Sequence, residues 1–128
     1  MRCGDSFLMT GPGGFGKAHL WIAVTDPQPG GAQIVIVSLT TLRFDRDQTV
    51  ILQPGDHPFI THQTVVLYGD SRIVDGQRID ALLRDGTALA HKSCPAQTLK
   101  LIQQGVLSSP YTPRKIIAFC REAWGPRP

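Results

Sequence analysis

Two runs of β-branched and aliphatic residues constrain the fold of this chain most strongly. Residues 19–25 (HLWIAVT) and 33–42 (QIVIVSLTTL) are rich in Val, Ile and Thr, which favour pleated strands. Between them, residues 26–31 (DPQPGG) combine prolines and glycines, which exclude a helix. The two runs therefore predict strands joined by a turn.

The central stretch, residues 49–75, predicts two further strands and a site between them. Residues 49–53 and 64–68 are strand-like and enclose a polar loop that carries Asp56, His57 and His62, and a Gly-Asp-Ser-Arg turn follows at residues 69–72. Residues 4–9 predict one more short strand. About five or six short strands separated by turns are typical of a small barrel or sandwich.

The pattern becomes helical after Asp75. That residue is a good N-cap for a first helix over residues 77–85, which Gly86 would end. A second helix follows Pro95, with Ser93 or Cys94 as its cap and Gly105 as its end. Thr112 caps the third, whose apolar stripe consists of Ile116, Ile117, Cys120 and Trp124. Strands followed by helices predict an α+β fold, with a barrel over residues 4–75 and helices over residues 76–124.

Length and composition are those of an ordinary globular domain. The chain has 128 residues, 41% of them apolar and 18% charged, which predicts a single domain. A net charge of +3 is compatible with a nucleic-acid partner but does not demand one. Widely spaced Cys3, Cys94 and Cys120 predict reduced thiols in a cytoplasmic protein. We expect no membrane association, because the apolar runs are short and no signal-peptide pattern is found.

A glycine-rich segment precedes the first strong strand. Residues 11–17 (GPGGFGK) match most of the phosphate-binding pattern G-x-x-x-x-G-K-[ST], but Ala18 stands where Ser or Thr would hold magnesium. A strand rather than a helix follows, so no helix N-terminus faces a phosphate. We interpret the segment as a loop that connects two strands.

Several short matches, taken in order, carry a resemblance to a known family. The first is Gly4-Asp5 followed by Phe7-Leu8, and the second is the strand from Val35 that ends in Ser38-Leu39-Thr40-Thr41. The third is the run Thr64-Val65-Val66-Leu67, and the fourth is the segment Arg72-Ile73-Val74-Asp75. Their order resembles the MazF/PemK toxins of bacterial toxin–antitoxin systems, which are small SH3-like barrels. The resemblance covers about the first 85 residues, and the two later helical segments have no counterpart in it.

The resemblance implies an endoribonuclease that cleaves single-stranded RNA without a metal ion or cofactor, by attack of a ribose 2′-hydroxyl on the adjacent phosphorus. Thr40 corresponds to the family's catalytic threonine. The family's arginine before the second strand is absent here, and His19 is its nearest substitute. Because histidine suits both proton transfers, the predicted catalytic residues are His19, Thr40 and His57. The partners implied are a cognate antitoxin, RNA and a second copy of the chain in a homodimer.

Five further side chains are candidates for substrate binding. They are Lys17, His62, Arg72, Arg114 and Lys115, the last two in a basic, aromatic-containing patch at residues 108–115. Several of the catalytic and binding candidates also have a simpler interpretation: a loop hydrogen bond for His19, a turn with Asp56 for His57, and a solvated helix start for the patch. His91 is interpreted as a surface residue.

Two other functions remain open. Asp56, His57 and His62 are close in sequence but lack the helical spacing of zinc enzymes and an obvious further ligand. The rival to the nuclease is a non-catalytic binding module of the same fold that inhibits a protein such as a topoisomerase. The missing arginine keeps this alternative open.

Overall fold

An antiparallel sheet and three helices make up the described part of the chain, which comprises residues 1–10 and 17–126 of a computed structural model. The strands are β1 (Ser6–Met9), β2 (His19–Ala23), β3 (Gln33–Thr41), β4 (Ile51–Leu52), β5 (Thr64–Asp75) and β6 (Leu89–His91). The helices are α1 (Gly76–Asp85), α2 (Ala96–Ser108) and α3 (Arg114–Trp124). The predicted connecting loop at residues 11–16 lies outside the described residues.

The six strands form one curled sheet in the order β4-β5-β3-β2-β1-β6, and all neighbours are antiparallel. The sheet is a half-barrel whose edges are the two shortest strands, β4 and β6. The predicted α+β class is therefore confirmed, together with the predicted strands at the start of the chain. The β-branched run of β3 lies at the centre, which is where a strand buried on both faces is expected.

Both faces of the sheet are covered, which explains why residues 34–39 are all buried. The larger core lies between one face and helices α2 and α3, and includes Leu20, Val37, Tyr68, Ile102 and Ile116. The smaller core lies on the opposite face beneath α1, where Ile79 packs among side chains of β1, β2 and β3. Alternate residues of β2 and β3 therefore enter different cores.

The predicted turn at residues 69–72 was wrong, because β5 continues through it to Asp75. Ile36 pairs with Arg72 and Ser38 pairs with Leu67, so Val37 alone faces four residues of β5. The surplus residues form a bulge, in which the Ser71 hydroxyl donates to the Tyr68 carbonyl at 2.7 Å. Gly69 and Asp70, from which the sequence predicts a turn, therefore lie in a bulge that bends a long strand.

The helical part of the chain also contains a strand that the sequence did not predict. Residues 89–91 form β6, which pairs with β1. His91, interpreted from the sequence as a surface residue, is half-buried there, and its Nδ1 is buried without a hydrogen-bond partner among the described residues. The strand is only three residues long, so its alternation was too short to detect.

Helix α1 begins and ends as predicted. The Asp75 carboxylate accepts from the Gln77 N–H at 2.8 Å, and Gly86 closes the helix in the left-handed conformation. Caps of the other helices were predicted wrongly: Pro95 and Pro113 occupy the N-cap positions, and neither helix has a side-chain cap. The Thr112 hydroxyl is buried without a partner among the described residues.

Helix α2 was predicted to end at Gly105, but it continues to Ser108. A Cβ atom at Gly105 would lie 1.9 Å from the Tyr68 hydroxyl oxygen, so only glycine leaves room for that ring. The Tyr68 hydroxyl uses this space to donate to the Ile102 carbonyl at 2.8 Å. Close packing against β5, rather than helix termination, explains the glycine.

The stripe of α3 packs largely as predicted. Ile116 and Cys120 are fully buried, and the indole N–H of Trp124 donates to the Val24 carbonyl at 3.0 Å. Burial raises the pKa of the Cys120 thiol to about 12. No helix in the described ranges is long and apolar enough to traverse a lipid bilayer.

Candidate functional site

A groove of about 190 Å³ lies at one end of the sheet, where β2 begins and β3 ends. The loop between β4 and β5 forms its other wall. Its lining consists of Lys17, Ala18, His19, Leu20, Leu39, Thr40, Thr41, Phe59, Ile60, Thr61, His62 and Thr64. This described lining contains a lysine and two histidines but no carboxylate, so the groove favours an anion.

His19 enters the groove from the start of β2. Its Nδ1 lies 3.3 Å from the Leu39 carbonyl oxygen. Since a carbonyl can only accept, Nδ1 carries the proton and the neutral ring presents an unprotonated Nε2. This second nitrogen has no hydrogen-bond partner in the described part of the chain, and it is available to accept a proton from a ligand.

Thr40, at the end of β3, is held by an arginine that the sequence analysis did not select. Arg46 Nη1 donates to the Thr40 hydroxyl oxygen at 2.8 Å and to the Thr41 carbonyl at 2.6 Å. The Thr40 hydroxyl keeps its own proton to donate. The turn closed by the Arg46 N–H and the Arg43 carbonyl brings Arg46 beside Thr40. The short separation of these two residues in the sequence was the available signal.

The opposite side of the groove contributes a second imidazole. His62 Nε2 lies 2.9 Å from the Thr41 hydroxyl, and Nδ1 lies 3.3 Å from the Thr61 hydroxyl. His62 is exposed, and Lys17 also lines the groove as an exposed cation. The structure therefore brings together His19, Thr40, His62 and Lys17 from the predicted set.

His57, predicted to converge with His19 and Thr40, is not among the side chains that line the groove. Its side chain is fully buried. Nδ1 accepts the Phe59 N–H at 3.0 Å, so the proton is on Nε2, which lies 3.1 Å from the Lys92 carbonyl and 3.2 Å from the Ser6 hydroxyl oxygen. Burial lowers the pKa of His57, nearby His91 lowers it further, and the hydrogen bond to the Lys92 carbonyl opposes them.

The other predicted substrate-binding cations are not among the described lining residues of the groove. Arg72 stands over the indole ring of Trp21, 5.8 Å from its centroid, on the face that carries the smaller core. Arg114 and Lys115 are exposed in the first turn of α3, and neither is among the groove's lining residues. These three cations are therefore not part of the described lining that holds His19 and Thr40.

A second hollow, of about 260 Å³, is lined by Arg46 and by three carboxylates, so negative charge predominates there. Asp45, Asp47 and Asp70 line it together with Tyr111. Asp47 is fully engaged: it accepts from the Thr49 N–H, the Thr49 hydroxyl and the Ser109 hydroxyl. These bonds fasten the loop at residues 42–50 to the connection between α2 and α3, and thereby fix the backbone around Arg46.

Within residues 1–10 and 17–126 there is no group of three or more His, Cys, Asp or Glu side chains placed to hold a metal ion. Asp56, considered as a ligand beside His57 and His62, instead accepts the Gln53 N–H at 2.8 Å. No protein-family model matches the chain, and no curated protein matches it. What the groove can do follows from its own side chains.

Proposed function

We propose that the protein is the toxin of a toxin–antitoxin system and cleaves single-stranded RNA without a metal ion. Two arguments support the proposal. The first is the resemblance of residues 4–85 to the MazF/PemK toxins, in which the half-barrel would correspond to part of an SH3-like barrel. The second, which carries the proposal, is the groove, whose lining contains both His19, with a free imidazole nitrogen, and Thr40, whose hydroxyl oxygen accepts from Arg46.

The groove meets the three requirements of cleavage by internal transesterification. A base must take the proton of the 2′-hydroxyl, an acid must protonate the leaving oxygen, and donors must stabilise the charge on the phosphorane. His19 Nε2 is placed to be the base. His62, hydrogen-bonded to the Thr41 hydroxyl, is the acid. The Thr40 hydroxyl and Lys17 donate to the non-bridging oxygens.

Arg46 takes the place of the arginine that the resemblance leads one to expect before the second strand. One of its terminal nitrogens is used on Thr40 and Thr41. Guanidinium has five N–H donors in a fixed plane, so three remain to address a phosphate at the rim. The cation thus comes from the connection after β3 rather than from the loop before β2.

In the proposed reaction the 2′-oxygen loses its proton to His19 and forms a bond to phosphorus, while the bond from phosphorus to the 5′-oxygen breaks. The 5′-oxygen takes a proton from His62. The products are a 2′,3′-cyclic phosphate and a free 5′-hydroxyl, and no water or cofactor is consumed.

The test is incubation of the purified protein with a single-stranded RNA in the presence of a chelator. We expect fragments that end in a cyclic phosphate, and no fragments from a strand whose riboses carry 2′-O-methyl groups. An intact RNA, or cleavage that a chelator abolishes and manganese or zinc restores, would contradict the proposal.

Two partners belong to the same proposal. A toxin of this kind is neutralised by a cognate antitoxin, and its relatives form homodimers. We expect a small acidic protein encoded next to this chain to bind it and to suppress cleavage, and light scattering to give twice the mass of one chain. A monomer at all concentrations would remove the homodimer from the proposal.

One observation favours the alternative, a non-catalytic binding module. Phe44 is 94% exposed at the turn closed by the Arg46 N–H and the Arg43 carbonyl. An apolar ring presented in this way is typical of a protein-binding anchor. If the purified protein leaves RNA intact but inhibits a topoisomerase, and Phe44→Ala removes the inhibition, the binding module replaces the nuclease.

A further inference from the structure

Phe59 is the one phenylalanine in the described lining of the groove. It lies in the loop between β4 and β5, lines the groove beside Ile60, Thr61 and His62, and leaves 39% of its surface exposed. Its backbone is fixed, because its N–H donates at 3.0 Å to the buried Nδ1 of His57. The ring therefore projects from an anchored point rather than from a free loop.

The ring is also supported from one side. Its centroid lies 5.5 Å from that of His91, and the two planes meet at 87°, an edge-to-face arrangement. His91 in turn lies 5.4 Å from the ring of His57. His57 is locked by the Lys92 carbonyl and the Ser6 hydroxyl, whose own proton goes to the same carbonyl.

We propose that a nucleobase of single-stranded RNA stacks on the ring of Phe59 while the adjoining phosphate lies against His19 and Thr40. This inference rests on the proposed function and adds a base-binding subsite to it. An exposed aromatic ring at the wall of an anion-binding groove is the arrangement by which proteins hold single strands, with stacking for the bases and cations for the backbone.

The surroundings of the exposed aromatic residues distinguish Phe59 from Tyr111. Tyr111 is 64% exposed, but it lines the hollow in which Asp45, Asp47 and Asp70 outnumber the single cation Arg46, which disfavours a phosphate. The described lining of the Phe59 groove has no carboxylate. Stacking depends on the face of any base, so the subsite selects single strands over duplexes rather than one sequence.

The test uses a single-stranded oligonucleotide with 2′-O-methyl riboses, which cannot be cleaved, and one 2-aminopurine, whose fluorescence falls on stacking. Phe59→Ala is expected to weaken binding by about five- to a hundredfold and to remove the quenching. Phe59→Trp should keep the affinity and the fluorescence quenching. Phe59→Leu, which preserves apolar bulk without an aromatic face, should behave like the alanine variant. Tyr111→Ala is the matched control and should bind as the parent does.

Several outcomes would overturn the inference. One is a Phe59→Ala or Phe59→Leu variant, with an unchanged melting temperature, that binds within about twofold of the parent. Another is a parent that binds an abasic strand as tightly as the normal one, or binds no oligonucleotide. A protein partner that requires Phe59 while the oligonucleotide does not would assign the ring to a protein interface instead.

The same experiment separates this inference from the proposed function. If the parent cleaves unmodified RNA and Phe59→Ala binds RNA unchanged, the nuclease stands and the stacking subsite fails. If the oligonucleotide binds and stacks through Phe59 but unmodified RNA stays intact, the subsite stands and the nuclease fails.

Discussion

Arg46 Nη1 donates to the hydroxyl oxygen of Thr40 at 2.8 Å and so places a permanent positive charge beside the end of β3. The same nitrogen donates to the Thr41 carbonyl. Together the two bonds orient the guanidinium and leave the Thr40 proton free to point into the groove. Under the proposed function, Arg46 supplies the cation near this threonine that the MazF/PemK toxins take from another segment.

Replacement of Arg46 tests whether this pair acts on substrate. Arg46→Lys keeps the charge but cannot span both acceptors and still reach a phosphate, since an ammonium group is a point donor. We expect RNA cleavage to fall at least about tenfold with little change in the melting temperature. Arg43→Lys, an exposed residue of the same loop, is the control. Equal rates for the parent and Arg46→Lys would remove Arg46 from the site.

The central strands were predictable because their signal is local. The β-branched residues of β2 and β3 favour a strand through their own side-chain shape. Asp75 and Gly86 likewise mark the two ends of a helix through their own conformational preferences. The continuation of β5 through Gly69 and Asp70 was not predictable in this way. It depends on pairing with Ile36 and Ser38, more than 30 residues earlier in the chain.

The site was predictable in part for the same reason. Thr40 and His19 are brought together by two neighbouring strands that the sequence indicates. Burial of His57 could not be foreseen from the polar loop around it, because its partners Ser6 and Lys92 are 51 and 35 residues away. Arg46 was overlooked because a charged connection normally faces solvent.

His57 makes the stability of the fold depend on pH. Its Nδ1 accepts from the Phe59 N–H, so a proton there would face a donor, and burial lowers the pKa of the ring in the folded state. The unfolded chain, with an ordinary histidine pKa of about 6.5, then binds more protons than the folded one. Stability is therefore fully present above about pH 6.5 and declines as the pH falls towards the folded pKa.

Urea unfolding between about pH 5 and pH 7.5 measures this dependence. His57→Gln should lower the free energy of unfolding at neutral pH by about 1–3 kcal/mol, because buried partners lose their hydrogen bonds. It should also flatten the decline below about pH 6.5. His62→Gln, at an exposed position, is the control. A parent whose stability rises on acidification through this range would contradict the assignment of His57.

Gly105 provides a test in which packing and helix propensity predict opposite signs. A Cβ atom there would lie 1.9 Å from the Tyr68 hydroxyl oxygen and 2.5 Å from its Cζ. We expect Gly105→Ala to lower the free energy of unfolding by roughly 2–4 kcal/mol, through overpacking and loss of the Tyr68 hydrogen bond. Propensity alone would stabilise α2 by about 1 kcal/mol.

The control for this substitution is Gly31→Ala, since no atom lies within 4 Å of a Cβ built at Gly31. Its free energy of unfolding should change little. A Gly105→Ala variant that unfolds at higher urea concentration than the parent would show that Tyr68 does not occupy the position described.

The most direct measurement of the central claim is the single-turnover rate of RNA cleavage by His19→Ala. Removal of a general base costs about a hundredfold or more, and Nε2 of His19 has no structural partner in the described chain, so we expect that loss with an unchanged melting temperature. Lys115→Ala, in the first turn of α3 and away from the groove, should cleave like the parent. A folded His19→Ala variant that cleaves as fast as the parent would contradict the account.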